Sequence, residues 1–95
     1  IADFKFQVIK TPGHTDDSVT YYFYEDEVMF TGDFLFKDTI GRCDFPNSNN
    51  IEMISSLNII KNYQDNIKIF PGHGDESILG LEKNNFEYYI NFLKY

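Results

Sequence analysis

Only two histidines occur in the 95-residue chain, and both stand in the same tripeptide. His14 follows Pro12-Gly13 in "KTPGHTDDS", and His73 follows Pro71-Gly72 in "IFPGHGDES". Between them, Asp33 follows Gly32 in "MFTGDFLF". Each motif closes a run with strand character. Proline fixes φ and glycine permits a close turn, so the histidine is delivered just past the strand's carboxyl end. Asp33 follows its glycine at the same kind of exit. In α/β sheets that edge is where ligands bind. Neutral imidazole and carboxylate are donors that suit zinc, iron or manganese. A lone His or Asp in a loop is usually solvated or turn-forming. Three of them in matching strand-end contexts favour one shared metal site.

These residues need elements to position them. "FKFQVIKT" (Phe4 to Thr11) alternates Phe4, Phe6 and Val8 against Lys5 and Gln7, the period of a strand. "SVTYYFY" (Ser18 to Tyr24) is β-branched and aromatic, and Glu25-Asp26-Glu27 makes a short turn into "VMFTG". That pair is expected to be antiparallel. "FLFKDTIGRCDFPNSNN" has no clean period and reads as an irregular excursion. "NNIEMISSLNIIKNY" is an amphipathic helix with Ile51, Ile54, Leu57 and Ile60 on its buried face and Ser48, Asn49 or Asn50 as N-cap. "NIKIF" is a short buried strand ending at Pro71-Gly72. "GLEKNNFEYYINFLKY" is a second helix burying Leu81, Phe86, Tyr89, Ile90 and Leu93, weakened at Asn84-Asn85. The order strand, strand, strand, helix, strand, helix predicts an α/β fold with a mixed sheet.

Length allows one domain, residues 1–95. A hydrophobic fraction of 42% and an aromatic fraction of 18% exclude a disordered chain. The net charge of -7 repels phosphate backbones and argues against nucleic acid. One cysteine, Cys43, forms no internal disulfide and fits a reducing, cytoplasmic setting. No apolar run reaches membrane-spanning length. The chain opens at Ile1 directly into strand-like sequence, as a fragment would.

"TPGHT", "FTGDFLF", "IGRCDFP" and "IFPGHG", in that order, resemble the carboxyl-terminal half of the metallo-β-lactamase fold, in particular its glyoxalase II-like hydrolases. The resemblance implies half of an αββα sandwich, with a mixed sheet and two helices. It implies that His14 binds one metal, His73 a second, and that Asp33 bridges them and orients the nucleophile, which makes Asp33 catalytic. The implied cofactors are two divalent metal ions, zinc first, with iron or manganese as alternatives. The implied reaction is hydrolysis of a small thioester such as a hydroxyacylglutathione. The family's His-x-His-x-Asp-His motif requires more histidines than this chain has. The missing amino-terminal half is therefore an expected partner, and the chain alone is expected to be inactive.

Two residues of "IGRCDFP" carry competing readings. Arg42 could contact substrate, but a bidentate pair with Asp44 or Asp38 that locks the excursion is favoured. Cys43 has no adjacent histidine and reads as a small buried apolar residue rather than a nucleophile. Asp16 and Asp17 belong to a turn, and Tyr21, Tyr22, Phe23, Tyr88, Tyr89 and Phe92 to packing. The alternatives to a metallo-hydrolase are a mononuclear iron persulfide dioxygenase of the same fold, and a metal-binding or structural module without catalysis.

Overall fold

The computed structural model describes residues 5–44 and 46–94. Phe4, expected to open the first strand, and Phe45, in the third motif, lie outside the described residues. The elements in chain order are β1 (Gln7–Lys10), β2 (Val19–Phe23), β3 (Val28–Gly32), β4 (Leu35–Phe36), β5 (Thr39–Ile40), α1 (Asn50–Ile60), β6 (Lys68–Pro71), β7 (Ser77–Ile78), α2 (Leu79–Lys83) and α3 (Phe86–Lys94).

Five strands form one mixed sheet in the order β1-β2-β3-β6-β7. β1 pairs antiparallel with β2, and β2 antiparallel with β3. β6 lies parallel to β3 and β7 antiparallel to β6. Consequently β1, β3 and β6 all run the same way. Their carboxyl ends, each followed by one of the three motifs, share one edge of the sheet. The expected antiparallel pair of β2 and β3 and the mixed sheet are both present.

One face of the sheet is covered by the helices. Ile9, Met29 and Ile69 pack there with Met53, Leu57, Ile60, Leu79, Phe86, Tyr89 and Leu93 in a single core. Among the described residues no helix covers the opposite face. On it Phe6, Tyr21, Phe23, Phe30 and Phe70 form a chain of ring contacts, with successive centroids 5.2–5.9 Å apart. Phe6, Val8, Tyr21 and Phe30 remain 42–52% exposed. The strands are thus apolar on both faces, the pattern of a sheet enclosed between two layers. The structure holds the two layers of half a sandwich.

Several expectations need correction. The "irregular excursion" contains the small antiparallel hairpin β4–β5. Asn49 is the N-cap of α1, its side chain accepting from the Glu52 amide at 2.9 Å. However, Ile51 is 78% exposed, and the buried face is Met53, Ser56, Leu57 and Ile60. A strict spacing of three drifts by about 60° per step on a helix with 3.6 residues per turn. Ile51 therefore comes out opposite Ile60. The predicted second helix is two helices, broken at Asn84-Asn85. Leu81 is exposed and Glu82 buried in its place. The buried series Leu79, Glu82, Phe86, Tyr89, Leu93 keeps a regular 3-4 spacing. Leu81 lies about 100° off that line. Tyr88 and Phe92 are also exposed rather than packed.

Candidate metal centre

The His14 loop is fastened to the start of α1. Gly13 has φ +146, and a Cβ there would meet Met53 Cβ at 2.6 Å. Only glycine lets the loop lie this close to the helix. The Asn49 amide donates to Gly13 O at 2.8 Å, the Ser56 hydroxyl to Pro12 O at 2.7 Å, and the Ser48 hydroxyl to His14 O at 2.6 Å. The imidazole is fixed in turn: His14 Nδ1 lies 2.8 Å from Arg42 O. A carbonyl oxygen only accepts, so Nδ1 is the donor, and in the neutral tautomer Nε2 is the nitrogen with the lone pair. A backbone acceptor on one ring nitrogen is a common way of orienting a histidine that binds metal through the other.

Asp33 and His73 come together because β3 and β6 are parallel neighbours. The Gly72 amide donates to Gly32 O at 2.8 Å, which continues the pairing past the strands. The Phe34 amide donates to Thr31 O at 3.0 Å and turns Asp33 outward. His73 Nδ1 then stands 3.5 Å from Asp33 Oδ1. The His73 ring rests against Phe36 of β4, centroids 4.6 Å apart.

His14, Asp33 and His73 line one open cavity of about 600 Å³, with Phe36, Asp38 and Arg42 on its wall. The three residues nominated by the sequence thus border one cavity. Their side chains are not drawn into a ready-made cage. Among the described residues no group of three or more His, Cys, Asp or Glu side chains is close enough to hold a metal ion. Asp33 and His73 side chains are 52% and 77% exposed. The donor chemistry fits a divalent metal, and the set is open on the side facing solvent.

Gly41 belongs to "IGRCDFP", where the sequence draws attention to Arg42 and Cys43, yet it is Gly41 that lies against both other motifs. A Cβ there would lie 2.0 Å from Asp33 O and 3.0 Å from His14 Cβ. Its amide donates to Phe34 O at 2.9 Å. The bare backbone at this position lets the first and second motifs approach. The neighbouring Arg42 pairs bidentately with Asp44, at 3.0 and 2.7 Å. That hydrogen bond holds the Asp44 carboxyl below its usual range. The pair is exposed rather than buried, so it staples the loop at the surface. Cys43 is half-buried, its thiol directed at Gly41 O at 3.6 Å. Burial first, and the Asp44 charge second, push that thiol up. It is a poor nucleophile, in keeping with its sequence context. Asp16 and Asp17 are exposed in a turn and do not line the cavity.

The sequence profile described as "Metallo-beta-lactamase superfamily" matches residues 2–73. The chain belongs to the metallo-beta-lactamase superfamily. It is 39% identical over 82 residues to a probable metallo-hydrolase of Streptococcus pyogenes serotype M6, covering 85% of this chain and 35% of that protein. It is 39% identical over 83 residues to the hydroxyacylglutathione hydrolase GloC of Haemophilus influenzae, covering 86% and 39%. The crystal structure of TTHA1623 in a di-iron-bound form superposes with a TM-score of 0.80 at 35% identity, covering 86% and 41%. The chain therefore spans between 35% and 41% of the length of these superfamily members. The fold assigned from the motifs, half of a metallo-β-lactamase sandwich, stands. Among the described residues no helix is long and apolar enough to cross a membrane.

Proposed function

We propose that this chain forms the second half of a metal-dependent hydrolase acting on a small thioester of the hydroxyacylglutathione type. The observation that carries the proposal is that His14, Asp33 and His73 line one cavity, with His73 Nδ1 3.5 Å from Asp33 Oδ1. The thioester is favoured by the 39% identity to a hydroxyacylglutathione hydrolase.

His14 and His73 would each hold one of two divalent ions through neutral imidazole, and Asp33 would stand between them. When bound, such ions supply a nucleophile at neutral pH and polarise the carbonyl under attack. The chain's own residues orient and neutralise. Arg42 O fixes the His14 ring, and Phe36 supports the His73 ring. The Asp33 carboxylate balances cationic charge and accepts a hydrogen bond from the attacking water, which sets its direction. The remaining donors come from a second region of the protein that packs on the aromatic face of Phe6, Tyr21, Phe23, Phe30 and Phe70. Burying such a face is a strong driving force, at about 25 cal/mol per Å² of apolar surface.

The test is metal analysis and hydrolysis of S-lactoylglutathione by the complete protein and its His14→Ala, Asp33→Ala and His73→Ala variants. Each variant is expected to lose bound metal and most of the turnover, and zinc should restore a chelated native sample. Full turnover in metal-free protein would refute the proposal. Oxygen consumption with a persulfide substrate would instead place the protein with the dioxygenases, and metal binding with neither activity would make it a non-catalytic module.

A further inference from the structure

Glu82 is a carboxylate that the proposed hydrolysis does not use, and it is only 2% exposed. Its place in the α2–α3 series, between Leu79 and Phe86, is one where an apolar side chain would ordinarily pack. Burying a carboxylate is costly unless it is hydrogen-bonded. Both of its oxygens are engaged, by two separate segments. Oε1 accepts from the Asp38 amide at 2.9 Å, across 44 residues. Oε2 accepts from the Ser77 hydroxyl at 2.5 Å.

Asp38 lines the cavity that holds His73, and Ser77 follows the loop that carries it. Asp38 is the second turn residue of the β4–β5 hairpin and has φ +66, a left-handed conformation that aspartate tolerates in tight turns. The same hairpin carries Phe36, on which the His73 ring rests. Ser77 opens β7 and closes the loop from Gly72 to Glu76 that carries His73 itself. One buried side chain thus ties together the loop bearing the histidine and the hairpin bearing its ring support.

We infer that Glu82 is a positioning residue for the metal centre: its carboxylate braces the β4–β5 hairpin against the His73 loop and so fixes the His73 imidazole relative to Asp33. This rests on the metal-site reading above. The brace works through hydrogen-bond acceptance and geometry. Glutamine reproduces it, because its carbonyl accepts from the Asp38 amide and its amino group donates to Ser77 Oγ. Alanine leaves the Asp38 amide unanswered and frees both segments.

The experiment uses the complete protein with Glu82→Ala, Glu82→Gln and, as a stability control that does not line the cavity, Leu57→Ala. Zinc affinity is measured by competition with a chromogenic chelator, and exchange of the Asp38 amide and the His73 ring signals are followed by NMR in the metal-free state. Glu82→Ala should weaken zinc binding roughly tenfold, the low end for losing a group that supports a ligand. It should also speed Asp38 amide exchange and broaden or double the His73 ring signals. Glu82→Gln should stay close to native on all three. Leu57→Ala should lower Tm without changing zinc affinity. Unchanged zinc affinity and His73 signals in Glu82→Ala would overturn the inference, as would an equal fall in Leu57→Ala, or a Glu82→Gln as damaged as the alanine variant. Should Glu82→Ala not fold, Ser77→Ala removes one arm of the brace. It should give a smaller zinc loss with altered His73 signals, and native behaviour there overturns the inference. If native protein binds no zinc, the hydrolase proposal fails, and the metal-free NMR still decides whether Glu82 holds His73.

Discussion

Replacing Gly41 by alanine is the sharpest perturbation of the site that leaves every chemical group in place. The added Cβ would stand 2.0 Å from Asp33 O. An ordinary carbon–oxygen contact is roughly 3.3 Å, so about 1.3 Å must be opened. Gly41 cannot simply retreat, because its amide is bound to Phe34 O at 2.9 Å. On the other side His14 Cβ and Cγ lie at 3.0 and 3.1 Å. The displacement therefore falls on the Asp33 backbone, on His14, or on both. Overpacking of this kind costs about 1–3 kcal/mol. A misplacement of about 1 Å at reacting groups can cost on the order of 100-fold in rate. In the complete protein, Gly41→Ala is therefore expected to show a modestly lower Tm and, on the proposed function, reduced metal occupancy and kcat/KM down about 100-fold with the proposed thioester substrate. The loss should persist on cooling, because it is a misplacement and not partial unfolding. A variant with native metal occupancy and kcat/KM within about threefold of native would refute the reasoning.

Other outcomes follow from the same structure. Leu57 is fully buried, and Leu57→Ala should lower unfolding free energy by about 2–5 kcal/mol in denaturant titrations. Asn49→Ala removes the side-chain cap of α1 and should cost about 1 kcal/mol, leaving kcat/KM unchanged since the Asn49 amide that holds Gly13 remains. The Arg42 hydrogen bond depresses the Asp44 pKa below 3.8. A depressed carboxyl stabilises the fold above its unfolded value and loses that contribution as pH falls through the folded one. Melts taken at decreasing pH should therefore decline more steeply for native protein than for Asp44→Asn below about pH 4, by a small margin because the pair is exposed. The Cys43 thiol, raised by burial and then by Asp44, should alkylate more slowly at mildly alkaline pH than free cysteine, and Asp44→Asn should narrow the gap.

The sequence alone determined what is local. Strand exits are written in neighbouring residues, so the Pro-Gly and Gly steps suffice to put His14, Asp33 and His73 at strand ends. The antiparallel turn between β2 and β3, the α1 cap region and the weak point at Asn84-Asn85 are likewise short-range signals. Burial of Glu82 has a signal too, since its spacing from Leu79 and Phe86 is that of a core position. Its charge masks that signal, and the adjacent apolar Leu81 competes for the same place.

What only the tertiary structure decided depends on partners far along the chain. The parallel pairing of β3 with β6 brings Asp33 beside His73, and no residue near either announces it. The close approaches that leave no room for a side chain at Gly41, 2.0 Å to Asp33 and 3.0 Å to His14, involve residues 8 and 27 positions away. The two donors that satisfy Glu82 come from a hairpin and a strand that meet only once the sheet is assembled. Which face of the apolar strands is covered also stays open in the sequence, because alternation marks two faces and only packing chooses between them. Side-chain type and backbone exit are properties of a few consecutive residues; distance between them is a property of the whole chain's folding.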